Sequence, residues 1–290
     1  MNGALLVDKP AGVTSFDVVA IVRRTLGIKS VGHTGTLDPF ATGLLVVLTG
    51  KATRLARFLD GFEKLYTATV RLGASSDTDD ATGTLTAPSA ISHRPSDDAV
   101  RSALQSFVGT TLQMPPAYSA KKIDGQRAYA RARKGEEVVL KAVEVTFHSI
   151  ELRRYEWPDA EIRVSVSSGT YIRSLARDLG TKLGVPAHCA ALRREAIGEF
   201  KVTDAQTLGT LQGGRAVGRP GGLISPLELV SHLAKQEVTD AEVTDLSHGR
   251  AVEGRVGDGT VALHHAERLI AIAEVKEGKA NPVVVLEGAE

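Results

Sequence analysis

The stretch Gly32-His33-Thr34-Gly35-Thr36-Leu37-Asp38-Pro39-Phe40-Ala41-Thr42-Gly43 contains three glycines, three threonines and a proline. This composition does not suit a regular helix or a central strand, so the stretch is predicted to be a loop. The apolar run 44–48 follows directly and is predicted to be a buried strand. A loop attached to a buried strand is a rigid place to hold a reactive side chain.

Asp38 is the only acidic residue of this loop. Because Pro39 follows it, the backbone of Asp38 is pushed out of the α region and into an extended conformation. The carboxylate could then belong to an Asx-type turn and accept hydrogen bonds from neighbouring N–H groups. It could instead be a reactive group that the turn aims at a substrate. Taken alone, an Asp-Pro pair favours the Asx turn.

Bulk composition narrows the class of protein. The chain has 290 residues, of which 42% are hydrophobic, so one large domain with a small one, or two domains of medium size, are expected. It contains no apolar run near the ~20 residues that a membrane-spanning helix needs. Residues 1–8 read as a strand and not as a signal peptide. The single cysteine excludes an intrachain disulfide and a multi-cysteine metal site, and the cytoplasm is the expected compartment.

The distribution of charge is more informative than the net charge of +1. Residues 119–141 carry seven basic side chains against three acidic ones, the bases being Lys121, Lys122, Arg127, Arg131, Arg133, Lys134 and Lys141. Such a cluster suits a polyanion bound along one face of the protein. An ordinary solvated helix face is an equally good interpretation of the charges alone.

Periodicity and end signals predict a mixture of helices and strands. Thr14 or Ser15 begins a helix to Leu26, with Asp17 completing a capping box and Gly27 ending the helix. The other helices are predicted at 52–59 and 96–107, in two segments that end at 135 and 183, and at 237–249. Strands are predicted at 3–8, 44–48, 66–72, 109–114, 138–156, 160–168, 260–263, 269–275 and 282–286.

Two nucleotide- or metal-binding motifs fail on spacing. Residues 43–53 hold two glycines and a lysine, but the glycines are too far apart and alanine follows the lysine, which argues against a phosphate loop. Residues 77–83 are acidic, but Ala81 stands where a calcium ligand should be, so a hairpin connection is expected there. The His-x-Glu and Pro-Cys-x-x-Cys strings of zinc deaminases are also absent.

Arg173 has an unusual position in the segment Ser168-Gly169-Thr170-Tyr171-Ile172-Arg173-Ser174-Leu175, which reads as strand, loop and helix. A basic side chain in the first turn of a helix has the wrong sign for the helix dipole. Another interaction should therefore explain it, and Asp38 is a suitable acidic partner.

The motifs, taken in order, resemble those of the TruB family of tRNA pseudouridine synthases. The matching strings are Lys9-Pro10-x-Gly12, the Asp38 loop, Pro115-Pro116-x-Tyr118-Ser119-Ala120, the Arg173 segment and Leu192-Arg193-Arg194. The resemblance implies an α+β pseudouridine synthase fold, with a mixed and mostly antiparallel sheet, flanking helices and an active-site cleft across the middle. It also implies isomerisation of uridine 55 in the TΨC stem-loop of tRNA, with no metal, cofactor, membrane or obligatory protein partner.

The same resemblance implies roles for seven residues. Asp38 would be the catalytic nucleophile, held by Arg173, and Tyr66 would stack on the extruded base. Lys9 would brace the site from beneath, and His33 would fill the position in the RNA stack that the extruded base leaves. Tyr171 and Leu192 would contact the base. A guide-RNA-dependent pseudouridine synthase and a non-catalytic tRNA-folding chaperone remain as alternative functions.

The clearest break in the chain is 213–222, with five glycines and a proline in ten residues. It separates a predicted catalytic domain, residues 1–230, from a small C-terminal domain, residues 231–290. Two strings in the latter, Gly249-Arg250-x-Val252 and Ile270-Ala271-Ile272-Ala273, resemble a PUA-type RNA-binding module. A plain packing domain is the alternative.

Overall fold

The computed structural model describes residues 1–86, 93–116, 118, 122–123, 126–127, 141–213 and 222–286. The strands, in chain order, are β1 (Gly3–Lys9), β2 (Val31–Thr34), β3 (Thr42–Thr49), β4 (Lys64–Leu72), β5 (Gly109–Gln113), β6 (Lys122–Ile123), β7 (Gln126–Arg127), β8 (Val143–Glu156), β9 (Asp159–Val166), β10 (Ala187–Ile197), β11 (Phe200–Lys201), β12 (Gln206–Thr207), β13 (Ala234–Glu237), β14 (Val252–Glu253), β15 (Gly259–His265), β16 (Arg268–Lys276) and β17 (Lys279–Val285).

The α-helices are α1 (Ser15–Leu26), α2 (Ala56–Leu59), α3 (Asp97–Gln105), α4 (Ile172–Leu183), α5 (Leu208–Gln212), α6 (Pro226–Leu229) and α7 (Asp240–Ser247). Short 3₁₀ helices span Gly50–Leu55 and Val202–Asp204. No helix in the described part of the chain is both long enough and apolar enough to cross a lipid bilayer.

The large sheet has the order β12-β1-β3-β10-β4-β9-β8-β5, with β2 and β11 paired to β3 and β10. Its pairs are antiparallel except for β1 with β12 and β3 with β10. The expected mixed, mostly antiparallel sheet with flanking helices is therefore confirmed. The β3–β10 pair lies in the middle, where Thr42 faces Arg193 and Gly43 faces Arg194. Because the Asp38 loop leads into Thr42, this central seam positions the loop.

A second sheet, β13-β15-β16-β17-β14, forms the C-terminal part of the chain. One buried cluster joins the two sheets, because Leu44 and Val46 of β3 share it with Ile272 of β16 and Val284 of β17. The C-terminal sheet thus packs against the large one. The boundary at residues 230 and 231, and the PUA-like nature of this part, stay predictions.

Several predicted elements need correction. Gly32, His33 and Thr34 are not loop but belong to β2, because pairing with β3 satisfies their backbone groups. Strand β4 begins at Lys64, so Tyr66 is its third residue. The helix predicted at 237–249 begins at Asp240, since Thr239 forms a capping box with Glu242. The strand 187–197 was not predicted.

Other sequence signals agree with the structure. Thr14 caps α1 in a capping box with Asp17, and Gly27 ends the helix in the left-handed conformation. The helix predicted through residue 135, most of the basic segment and most of the glycine-rich segment 213–222 lie outside the described residues.

The close approach of β3 and β10 at the central seam predicts that only glycine fits at position 43. Gly43 has a φ of 102°, and a Cβ there would overlap the carbonyl oxygen of Arg194 and lie 2.7 Å from its amide nitrogen. Gly43→Ala should therefore destabilise the protein by about 2–4 kcal/mol, measured by urea unfolding. Gly61→Ala is the matched control, because nothing lies within 4 Å of a Cβ at that position. Equal midpoints for the two variants would contradict this account of the seam.

Candidate active site

The Asp38 loop is clamped by the turn that follows β1. The Nζ of Lys9, a fully buried residue, donates hydrogen bonds to the carbonyls of Pro10 (2.9 Å), Val13 (2.8 Å) and Pro39 (3.3 Å). The hydroxyl of Ser15 accepts from the amide of Leu37 (2.9 Å) and lies 3.1 Å from its carbonyl oxygen. Because these contacts fix the backbone on both sides of Asp38, the direction of its carboxylate is set by the fold.

Arg173 contacts the Asp38 carboxylate at two points. Its Nη2 donates a hydrogen bond to Oδ1 of Asp38 (3.1 Å), and its Nε lies 2.9 Å from Oδ2. The arginine side chain is 4% exposed, whereas that of Asp38 is 33% exposed. Arg173 lies in the first turn of α4, where its charge opposes the helix dipole. Its acidic partner is Asp38, as the sequence suggested. One side of the Asp38 carboxylate stays accessible.

A second carboxylate, which sequence reasoning missed, lies on the other side of Arg173. Oδ2 of Asp80 is 3.4 Å from Nη1 of Arg173, and the same Nη1 donates to the carbonyl of Thr78 (2.9 Å). Asp80 is 4% exposed and accepts hydrogen bonds from the amide and hydroxyl of Thr82. The loop predicted as a simple hairpin connection therefore supports the site from behind. Arg177, one turn after Arg173, pairs with the neighbouring Asp79 (2.9 Å).

Burial raises the pKa of Asp38, the nearby Arg173 opposes this rise, and the charge of Asp80 adds to it. The positive charge of Arg173 favours the ionised carboxylate. Its effect is nevertheless outweighed by removal of the carboxylate from water.

Asp38 lies at the wall of a cavity of about 290 Å³. The cavity is lined by Gly35, Thr36, Leu37, Asp38, Lys64, Tyr66, Ser168, Gly169, Thr170, Tyr171, Ile172, Arg173, Leu192 and Arg194. Its apolar walls include Tyr66, from β4, and Leu192, from β10, which are 7% and 8% exposed. A small, partly open cavity with aromatic walls and a few polar groups is typical of a site for a small planar group.

The other predicted residues surround this cavity at different distances. Tyr171 lines it as the N-cap residue of α4, and its backbone is held by the side-chain amide of Gln113 (2.8 and 3.0 Å). Lys9 lies beneath the loop, and burial is the main cause that lowers its pKa to about 8. His33 is in β2 and is not among the cavity-lining residues; burial lowers its pKa, and Arg194 adds to this.

Lys64 and Arg194 line the cavity as well, although they were not among the predicted site residues. Arg194 is 1% exposed, and it donates to the carbonyls of Leu44 (2.8 Å) and Gly35 (2.8 Å). The Leu-Arg-Arg string was the only signal for Arg194. Its inward orientation depends on strand β10, which was not predicted.

The described residues contain no group of three or more His, Cys, Asp or Glu side chains arranged to hold a metal ion. Cys189, the single cysteine, is fully buried, and burial raises the pKa of its thiol. Its neighbour His188 is also buried and contacts the carbonyl of Ala74 (2.8 Å). Both residues pack in β10.

Three family descriptions match the chain: "TruB family pseudouridylate synthase (N terminal domain)" at residues 23–172, "tRNA pseudouridylate synthase B C-terminal domain" at 173–219, and "tRNA Pseudouridine synthase II, C terminal" at 233–287. A tRNA pseudouridine synthase B from Thermobifida fusca (strain YX) is 45% identical over 303 residues, covering 99% of both chains. The protein of that name from Aquifex aeolicus (strain VF5) is 38% identical, covering 97% of this chain and 98% of its own.

Solved structures agree at the level of the whole chain. The archaeal box H/ACA sRNP Nop10-Cbf5 complex contains a chain that aligns with a TM-score of 0.72 at 26% identity, covering 99% of this chain and 85% of that one. A Cbf5-Nop10-Gar1 complex gives the same TM-score at 28% identity, covering 98% and 84%. With its fold, its motifs and its full-length relatives in agreement, the chain belongs to the TruB family of pseudouridylate synthases.

Proposed function

We propose that this protein, a TruB-family enzyme that isomerises uridine in tRNA to pseudouridine, acts on position 55 in the TΨC stem-loop and uses Asp38 as its nucleophile. The observation that carries the proposal is the two-point contact between Arg173 and Asp38 at the wall of a cavity that Tyr66 also lines. A carboxylate that is oriented, partly accessible and next to an aromatic wall is what attack on a flat base requires.

The reaction breaks the bond between C1′ of the ribose and N1 of uracil, turns the base, and joins C1′ to C5. The proton on C5 is lost and N1 gains one, so the isomerisation needs no oxidant, reductant or co-substrate. Ionised Asp38 could attack C6 of the base or C1′ of the ribose, or it could assist removal of a proton from C2′. The cavity is compatible with each of these routes, and all of them require the carboxylate in its charged form.

Access to the base requires that it leave the RNA stack, at a cost of a few kcal/mol. Stacking on Tyr66 offsets most of this, because a base–aromatic contact contributes ~1–3 kcal/mol. Leu192 and Tyr171 enclose the base from other sides of the cavity. His33, on the strand that leads into the Asp38 loop, has a planar ring that could fill the position in the RNA stack that the base leaves. Lys9 braces the loop from below.

A tRNA substrate favours the cytoplasm as the compartment, and the basic side chains of residues 119–141 would bind the RNA backbone. A guide-RNA-dependent enzyme is not favoured, because the tRNA pseudouridine synthase B relatives reach 45% identity, against 25–28% for the chains of H/ACA complexes. A non-catalytic tRNA-folding chaperone is also not favoured, because the same relatives are named as synthases. The activity of an Asp38 variant distinguishes the chaperone from the enzyme.

Asp38→Asn keeps the shape of the side chain but removes its charge and its nucleophilic oxygen. The variant should bind tRNA near normally, while pseudouridine formation should fall by ~10⁴-fold or more, since an essential covalent step is lost. The measurement is single-turnover pseudouridine formation at position 55 with excess enzyme, alongside a thermal melt. A folded variant that kept a hundredth of the wild-type rate would show that Asp38 is not the nucleophile, and the Asx-turn interpretation would then apply.

Arg173→Lys should lower the single-turnover rate by about 10–100-fold, because a single ammonium cannot reproduce the two-point contact. It should also move the acid limb of the pH–rate profile. Arg173 lowers the pKa of Asp38 against the effect of burial, so weakening this contact lets the pKa rise and shifts the loss of activity to higher pH.

The matched control for this substitution is Arg71→Lys. Arg71 also contacts an aspartate at two points, both at 2.8 Å, but its partner is Asp159 and the pair is exposed. Rate and pH profile should stay unchanged in this control. If the acid limb of the pH–rate profile does not shift in Arg173→Lys, Arg173 does not control the ionisation of Asp38.

Tyr66→Phe keeps the aromatic ring and should leave tRNA affinity within about threefold of wild type. It should lower turnover, because the hydroxyl that could move a proton is lost. Tyr66→Leu should reduce affinity and turnover together, since stacking on the ring contributes ~1–3 kcal/mol. Tyr155→Leu is the control, because Tyr155 packs on the core and donates its hydroxyl to Pro95. Normal turnover in Tyr66→Leu would make Tyr66 a core residue only.

A further inference from the structure

The cavity beside Asp38 contains two positive charges that the proposed chemistry does not use. Lys64, from β4, and Arg194, from β10, both line it and are 8% and 1% exposed. A Cβ built on Gly35 would lie 3.4 Å from Nη1 of Arg194 and 3.5 Å from Cε of Lys64. The two cationic side chains therefore meet beside the backbone of Gly35, three residues before Asp38.

Neutral groups provide the hydrogen bonds of both cations. The Nε and Nη2 of Arg194 donate to the carbonyls of Leu44 and Gly35. The Nζ of Lys64 donates to the carbonyls of Phe62 (2.8 Å) and Asp60 (3.4 Å). Across the described ranges, no carboxylate forms an ion pair with either side chain, and Nη1 of Arg194 has no hydrogen-bond acceptor there.

Other arginines near the site show the opposite arrangement. Arg173, Arg177 and Arg193 each pair with an aspartate at 2.8–2.9 Å. Burying two adjacent like charges without a counterion is costly. A full negative charge offsets this cost, whereas a neutral base can accept hydrogen bonds but cannot remove the repulsion. An anion that comes with the substrate would therefore complete the environment of Lys64 and Arg194.

We propose that Lys64 and Arg194 form a subsite for one phosphodiester group of the RNA backbone that adjoins the uridine bound in the cavity. The inference rests on the proposed function, because it takes RNA with an extruded uridine as the ligand. Each nucleotide carries such an anion within one residue of its base, so a base beside Asp38 brings a phosphate close to the cations. The absence of a side chain at Gly35 lets that phosphate approach both of them.

The first test measures tRNA binding in an Asp38→Asn background, which keeps the substrate unmodified. Lys64→Met replaces the ammonium with an apolar chain of similar length. It should weaken binding about tenfold and lower the slope of log affinity against log salt by about 1, as for one lost phosphate contact. Lys64→Arg should retain both quantities. Arg71→Met, on the same strand but 48% exposed and paired with Asp159, is the control and should change neither.

Unchanged affinity and salt slope in folded Lys64→Met would overturn the proposal. Because binding is compared within one background, the result does not depend on whether Asp38 is the nucleophile. A failure of the subsite is therefore distinguishable from a failure of the proposed function, which would appear as turnover by Asp38→Asn.

The second test identifies the anion. Stem-loop RNAs carry one uncharged methylphosphonate at either the 5′ or the 3′ phosphate of the target uridine. One of the two RNAs should bind the parent protein, Asp38→Asn, about tenfold more weakly than the unmodified RNA does. The same RNA should bind Lys64→Met within about twofold of the unmodified RNA, because this variant has already lost the phosphate contact. If both RNAs lose as much affinity for Lys64→Met as for the parent protein, the cations bind some other group and the proposal is wrong.

The titration of Lys64 gives an independent readout. Burial, followed by the charge of Arg194, lowers the pKa of Lys64 to about 8, while Asp60 opposes this. Arg194 and Asp60 are the charged groups that act on the Lys64 ammonium. Affinity of the parent protein should fall between pH 7 and pH 9 as the ammonium loses its proton, and Lys64→Arg should show a smaller fall. Lys9 titrates in the same range but is common to both proteins. Equal falls would contradict a charged role for Lys64.

Discussion

The buried guanidinium of Arg173 is the constraint on which the active site depends. It contacts Asp38 at two points and lies near Asp80 and the carbonyls of Thr78 and Tyr118. Segments that are far apart in the chain are thereby held around one charge. Removing one partner of such a pair leaves an uncompensated buried charge, which commonly costs about 3–5 kcal/mol. The loops around Asp38 and Asp80 and the first turn of α4 consequently hold their positions together.

The parts of the structure that could be predicted are those with local causes. Thr14 and Asp17 mark the start of α1 because a capping box uses only neighbouring residues. Arg173 pointed to an acidic partner because its charge opposes the dipole of its own helix. The Asp38 loop was recognisable because proline and glycine restrict or free the backbone wherever they occur. Each of these inferences needed nothing beyond a few consecutive residues.

The parts that could not be predicted depend on contacts between distant segments. Strand β2 looked like loop, because Gly32 disfavours a strand and the stretch that follows is rich in glycine, and only pairing with β3 makes it a strand. Asp80 lay in an acidic stretch that looked solvated, and its burial follows from the docking of that loop against α4 and β10. The inward orientation of Arg194 follows from the register that places it opposite Gly43.

The register at the seam also explains why charge is unevenly distributed in the cavity. Gly43 brings the backbones of β3 and β10 together, and this contact directs Arg194 into the space beneath Gly35. At the other end Arg173 is neutralised by carboxylates, so this part of the cavity holds a base-sized space with one accessible carboxylate. The end near Lys64 and Arg194 keeps an uncompensated positive charge. A nucleotide has the matching asymmetry, a neutral base joined through its sugar to an anionic phosphate, so under the proposed function the cavity would favour a single orientation of the uridine.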